Sequence, residues 1–290
     1  MVTRDVEATA VADLALAPPR AALAVTIDDE IHVLPIGVSV EDPAAPGASP
    51  RIMRVPEDAP DLADRNVVVI ADDGPQWFRL RSLTVRGKAI SMGDQSYRLV
   101  PTRVVAWDYG SLHYAPTPPD TVDPRQPVFS GASYTDINPL TSPNLDAALS
   151  AARVMILATH SERGTPFAVP LWFVMADHGR IFAGTSASSW TVRNVASRSQ
   201  VALLFGGENG RDSHRLLVRG RARAVSGPPP PAVLARIAWR YYLAPQFAAA
   251  ELNHLRLWRR RMRYYAQSQA AHVIITPQSA IECRAPHSHT

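Results

Sequence analysis

Residues 185–194 read Thr-Ser-Ala-Ser-Ser-Trp-Thr-Val-Arg-Asn and gather the densest set of anion-binding groups in the chain. Thr185, Ser186, Ser188 and Ser189 bring hydroxyls to the start of a stretch with helical period. The first N–H groups of a helix have no partner inside it and draw negative charge. Arg193, in the opening turns, adds a charge-assisted contact of the kind a phosphate accepts. The plainer reading makes Ser188 or Ser189 an N-cap, worth ~1 kcal/mol to the helix and nothing to a ligand. Composition leaves both readings open.

The remaining reactive residues form no set. His160, His178 and His214 fall at turns or strand edges without metal-ligand spacing, and no Ser-His-Asp triad or carboxylate pair emerges. Cys283 is the sole cysteine, which excludes an intrachain disulfide and a thiolate metal cluster. Lys88 is the sole lysine, so Schiff-base chemistry would have to use it. The run 254–265, His-Leu-Arg-Leu-Trp-Arg-Arg-Arg-Met-Arg-Tyr-Tyr, interleaves arginines with aromatics as a nucleic-acid-binding segment does. Leu255, Trp258, Met262 and Tyr265 fall on one helical face, however, which leaves the arginines as its solvated side. A net charge of +4 over 290 residues admits an anionic ligand without pointing to nucleic acid.

The elements that must position these residues occur twice. Val85-Arg86-Gly87-Lys88-Ala89 returns as Val218-Arg219-Gly220-Arg221-Ala222, an offset of 133, which also brings Val68-Val69-Ile70 onto Val201-Ala202-Leu203. With small gaps, His32–Ile36 aligns with Ala168–Leu171, and Leu99-Val100-Pro101 with the end of Ile274–Pro277. So long a period excludes a solenoid and indicates two fused copies of one domain. A length of 290 residues accommodates two cores of roughly 130 residues each. Short apolar runs bounded by turn residues predict strands in both halves. The first half has them at 21–27, 31–40, 67–70, 78–87 and 98–107, with turns at Asp28-Asp29 and Asp72-Asp73-Gly74. The second has them at 154–159, 167–176, 180–183, 201–206, 214–226 and 272–284, with helices at 147–153, 190–197, 232–243 and 247–270. Six or so short strands per half predict two small barrels. The expected organisation is 1–115 for a worn copy, a Pro-rich linker at 116–143, and 144–290 for the intact one.

From Ala152 to Phe205 the sequence resembles the flavin-binding split barrel of the pyridoxamine 5′-phosphate oxidase superfamily. The resemblance is carried by Ile156–Thr159, Gly164-Thr165-Pro166 through Phe173, Asp177–Phe182, Thr185-Ser186, Val192-Arg193-Asn194-Val195 and Val201–Phe205. It implies a mainly β fold with accessory helices, built as two tandem split β-barrels that form an intrachain pseudo-dimer. It also implies that Pro170, Leu171 and Trp172 lie along an isoalloxazine ring. Thr185, Ser186, Ser188, Ser189, Thr191 and Arg193 would then surround the ribityl phosphate. One departure stands out: Thr191 occupies a position where the family usually carries Lys or Arg. Another is Val55–Asp61, acidic and broken by proline, where the second half has its hydroxyl loop. Trp77 or Trp107 of the first half is either part of its core or a wall of the second half's pocket.

The implied activity is flavin-dependent oxidoreduction of a small organic molecule, with FMN as cofactor and no catalytic side chain identified. Two alternatives stand beside it: the deazaflavin coenzyme F-420, whose acidic tail would suit the basic run, and a non-catalytic flavin- or haem-binding protein. For haem, His160 or His214 would be the axial ligand. No window approaches 18 uninterrupted apolar residues, and residues 1–20 lack the pattern of a secretory signal. With arginine in place of lysine and abundant Ala and Pro, the expectation is a bacterial cytoplasmic protein with a small-molecule substrate. No membrane or nucleic-acid partner is expected, and further self-association is open.

Overall fold

The computed structural model describes residues 5–16, 18–39, 52–73, 80–108, 133–137, 149–176, 179–207, 214–243 and 270–284. The loop 41–50, Trp77, His178, the basic run 254–265, His287, His289 and most of 116–143 lie outside them.

Among the described residues, sixteen strands form two sheets. The first holds β1 (Asp5–Val6), β2 (Arg20–Ile27), β3 (Glu30–Pro35), β4 (Gly37–Ser39), β5 (Ile52–Arg54), β6 (Asn66–Asp73), β7 (Arg81–Gly93) and β8 (Ser96–Asp108). The second holds β9 (Ser133–Ile137), β10 (Val154–His160), β11 (Pro166–Trp172), β12 (Val174–Met175), β13 (Ile181–Ser186), β14 (Gln200–Phe205), β15 (His214–Ser226) and β16 (Ala270–Arg284). The strand orders are β3-β2-β6-β7-β8-β5-β4 and β11-β10-β14-β15-β16-β13-β12, with β1 added to β8 and β9 to β16. Adding eight to each label of the first sheet gives the second. The fold is mainly β, two curled half-barrels in tandem, as the repeat predicts. Helices among the described residues include α1 (Ala12–Leu16), α2 (Trp190–Ser197) and α3 (Pro231–Ala238), which runs on into a wide turn at Trp239–Leu243.

The repeated Val-Arg-Gly explains itself in this frame. Val85 and Val218 are buried in the two barrel cores. Gly87 and Gly220 sit at the same bulge, opposite Pro101 and Pro277, where the register of each long hairpin slips. A Cβ on Gly87 would stand 2.3 Å from the carbonyl oxygen of Val100, and one on Gly220 would stand 2.6 Å from that of Thr276. Only glycine lets the strands close there. The glycines also fix the true alignment. Val67 faces Gly87 as Val201 faces Gly220, so the offset on this strand is 134 rather than 133. A one-residue slip would exchange the buried and outer faces.

Other boundaries moved for physical reasons. Asp72 and Asp73 are not a turn; they extend β6 and pair with Ser82 and Arg81, because Arg20 and Arg81 take up their charges. Asp28-Asp29, by contrast, forms the expected tight turn, with φ of 49° and 67°. β5 is only three residues long and gave no periodic signal, and β9 falls within the expected linker.

Each half-barrel fills its own interior, and a third apolar cluster lies between them. It joins Ala22, Ala24, Val68 and Ile70 of the first half to Ile156, Ala158, Ala202 and Leu204 of the second. These eight positions are equivalent in pairs, so the halves meet through the same patch on each, as in an isologous homodimer. The intrachain pseudo-dimer is therefore a property of the fold.

Candidate functional site

The hydroxyl segment lies where β13 ends and α2 begins. β13 hydrogen-bonds to β16 through Ser186, opposite Ala270, and a short turn then leads into the helix. Ser189 is the N-cap, with extended backbone and its Oγ accepting from the Val192 N–H at 3.2 Å. Thr185 Oγ1 donates to Ser189 Oγ at 3.1 Å, and the Ser186 and Ser188 hydroxyls lie 3.0 Å apart. The structure thus gives the capping role to Ser189. It leaves Ser188, exposed, and Ser186, half-buried, around the helix start.

Two residues of the segment turn inward. Thr191 is 2% exposed, so its hydroxyl is packed beneath the helix rather than presented at its mouth. Asn194, also buried, donates from Nδ2 to Thr159 Oγ1 at 3.0 Å and pins α2 to β10. Arg193 points outward and is exposed; its guanidinium lies 5.1 Å above the ring of Trp190, itself 57% exposed. No carboxylate pairs with Arg193 among the described residues. The far end of α2 is tied to the first barrel, because Arg198 forms an ion pair with Asp29 and donates to the Glu162 carbonyl at 2.9 Å.

The residues expected along a flavin ring divide between two faces of β11. Leu171 packs against the interior of the second barrel. Pro170, buried, and Trp172, half-buried, lie on the opposite face, shared with Ala168 at the inter-barrel cluster. Trp172 is stacked on Tyr241, with centroids 4.7 Å apart and planes 9° from parallel, and meets the edge of Tyr242 at 6.4 Å. Tyr241 is locked in place: its hydroxyl lies 2.6 Å from the Phe173 carbonyl and 2.8 Å from that of Arg153, donates its one proton between them, and accepts from the Phe173 N–H. One face of Trp172 is therefore already covered by the chain itself. Sequence reasoning missed Trp190 and Tyr241; the aromatic positions inside the helical stretches were the available signal.

The first barrel holds no counterpart of the hydroxyl segment. Register places Val55 where Thr185 stands and Pro56 where Ser186 stands. The chain then folds back into its own barrel, with Val55 and Leu62 fully buried. Tyr97 donates to Asp61 at 3.2 Å and accepts from the Leu62 N–H. Hydrogen bonds from the Ala63 N–H and Tyr97 hold the Asp61 carboxyl below its ordinary range. A fixed anion there repels phosphate. Trp107, the other first-barrel candidate, is half-buried and packs against the core of the second barrel.

Two histidines lie along the junction of the barrels. His32 Nδ1 accepts from Arg219 Nη2 at 2.9 Å, which requires that nitrogen to be unprotonated. Burial first, then Arg219, lowers its affinity for a proton, against the opposing pull of Glu30 and Asp28. His160 is 1% exposed and neither ring nitrogen has a hydrogen-bond partner among the described residues. Burial, then Arg198, keeps it below the ordinary histidine range, with Asp29 opposing. No group of three or more His, Cys, Asp or Glu suited to a metal occurs among the described residues.

Comparison with known proteins follows the same outline. Residues 141–270 match the family model described as Pyridoxamine 5'-phosphate oxidase. No curated protein matches the chain. Among solved structures, HutZ, the heme storage protein from Vibrio cholerae, is similar at 17% identity, over 48% of this chain and 92% of that one, with a TM-score of 0.36. An F420 reductase is similar at 18% identity over 48% and 98%, with a TM-score of 0.34. A conserved hypothetical protein from Mycobacterium tuberculosis is similar at 18% identity over 54% and 96%, with a TM-score of 0.37. Each spans about one barrel's worth of this chain. No helix among the described residues is long and apolar enough to cross a membrane. The family model thus matches most of the second half, and the sheet it covers has the strand order of the first, so the matched split barrel stands behind a second copy of its own fold.

Proposed function

We propose that the second barrel binds FMN at the mouth of α2 and that the protein is a flavin-dependent oxidoreductase acting on a small organic molecule. One observation carries this: exposed Arg193, with no carboxylate partner among the described residues, lies over Trp190 in the opening turns of α2, the helix whose start carries the hydroxyls of Ser186 and Ser188. These groups fit a phosphate. Thr191, buried, adds nothing to it, so the charge of the site rests on Arg193.

The bound flavin would supply hydride chemistry at its ring nitrogen N5. The chain's own residues bind and orient. The first N–H groups of α2 and Ser188 would take phosphate oxygens, and Asn194 keeps the helix at a fixed depth through Thr159. The Arg198–Asp29 contact sets its angle against the first barrel. Pro170 and Trp172 would form an apolar wall on β11, and the Tyr241 stack holds the Trp172 plane still.

A second reading, a binding protein without redox chemistry, draws on the same Tyr241 stack, which covers one face of Trp172 and withholds it from a flavin. Titration of the purified chain with FMN, and separately with the deazaflavin coenzyme, decides between them. The redox reading expects a rise in thermal midpoint with one of the two, and weaker binding in Arg193→Ala. No response to either flavin favours the second reading.

A further inference from the structure

The pseudo-symmetry exposes one place where the halves differ in charge rather than in packing. In the second copy, Arg219 of the repeated Val-Arg-Gly reaches the first barrel, where it meets Glu30 at 3.4 Å and His32 at 2.9 Å. Its equivalent, Arg86, reaches the second barrel in the same way. Phe167 stands there in place of His32, and Thr165 in place of Glu30. The Arg86 guanidinium lies 5.2 Å over the Phe167 ring, held flat but not neutralised.

The strand beside it makes the imbalance larger. Arg103 is the direct cross-strand neighbour of Arg86, where the second copy has Ser279 opposite Arg219. Directly opposed residues on neighbouring strands share a face, and like charges there repel. No carboxylate pairs with either arginine among the described residues. Burial, and next the charge of Arg103, pull Arg86 below its ordinary value, and no acid opposes them. The second copy lacks the acid that Glu30 supplies in the first, and the first copy has gained a second cation.

We propose that Arg86 and Arg103 form a binding site for the phosphate group of a small ligand, on the junction between the barrels and separate from the mouth of α2. Two adjacent guanidinium groups match a doubly charged oxyanion, and each offers a fork of donors to it. Phe167 supplies a flat apolar surface beside it. Phe167 and Pro170 belong to one strand, so the site lies roughly 10 Å along β11 from Pro170 at ~3.3 Å per residue. The inference rests on the unequal halves and not on the flavin reading.

The test is a titration of the full chain with inorganic phosphate and with phenyl phosphate, carried out in the Arg193→Ala background to silence the α2 mouth. Two exposed substitutions restore the second copy's arrangement: Thr165→Glu supplies the missing acid, and Arg103→Ser removes the extra cation. Each is expected to raise the dissociation constant about tenfold, the scale of one lost charge-assisted contact. Tighter binding of phenyl phosphate would identify an ester as the ligand, and equal binding free phosphate. In low salt without phosphate, Arg103→Ser should melt higher than its parent, and added phosphate should erase that advantage. Phosphate affinity unchanged by both substitutions, or no measurable binding in the parent, would overturn the site.

Discussion

Arg20 and Val154 belong to different barrels, and Arg20 Nη1 donates to the Val154 carbonyl at 2.9 Å. The same guanidinium is bidentate on Asp72, with both contacts at 2.8 Å, and both side chains are excluded from water. By register, Val154 is the second-copy equivalent of Arg20 itself. The fused pair has replaced a symmetric contact with a one-sided charged one, which two identical chains could not do. Arg20→Ala should lose about 3–5 kcal/mol in urea unfolding, because Asp72 would be left charged and buried. Arg20→Met with Asp72→Leu should recover most of that loss.

The bulge glycines give a second prediction. Gly87→Ala and Gly220→Ala each force a methyl against a carbonyl oxygen, and each should cost about 1–3 kcal/mol, as overpacking does. Gly87→Ala should be the worse, since its gap is narrower. Denaturant midpoints of the two variants check the order.

How much of this was legible in the sequence follows from contact range. The Val-Arg-Gly repeat disclosed the duplication because its three residues each have a strong local reason: core, junction and bulge. The constant offset failed by one residue on the strand of Val67, since identities at Val and Ile positions do not fix register, whereas cross-strand pairing does. The Tyr241–Trp172 stack and the Arg86–Arg103 pair join residues distant in sequence, and no local spacing announces them. Helix α2 fell where period and cap placed it, but the inward turn of Thr191 depends on the depth set by Asn194 and Thr159.

The junction histidines set a pH dependence. Both are held below the ordinary histidine value in the fold, so the unfolded chain binds protons more readily. Stability should be full above about pH 6.5 and fall as pH drops below it, toward the folded values. Thermal midpoints across that range should show the fall, and His160→Gln should flatten part of it. A flat profile for the parent chain would contradict the assignment.

Ser189 and Arg193 should separate cleanly. Ser189→Ala removes the cap and should cost about 1 kcal/mol of stability, with weaker flavin binding as a consequence. Arg193→Ala should leave the unfolding midpoint of the free protein nearly unchanged while weakening flavin binding by about tenfold or more. Equal effects of both on stability would mean that Arg193 is a packing residue.

The most direct measurement is the stoichiometry of flavin binding to the full chain by equilibrium titration. One hydroxyl-lined helix mouth among two like barrels predicts saturation at one FMN per chain, abolished or greatly weakened in Arg193→Ala. Two equivalents per chain, or one equivalent bound just as tightly without Arg193, would contradict the account.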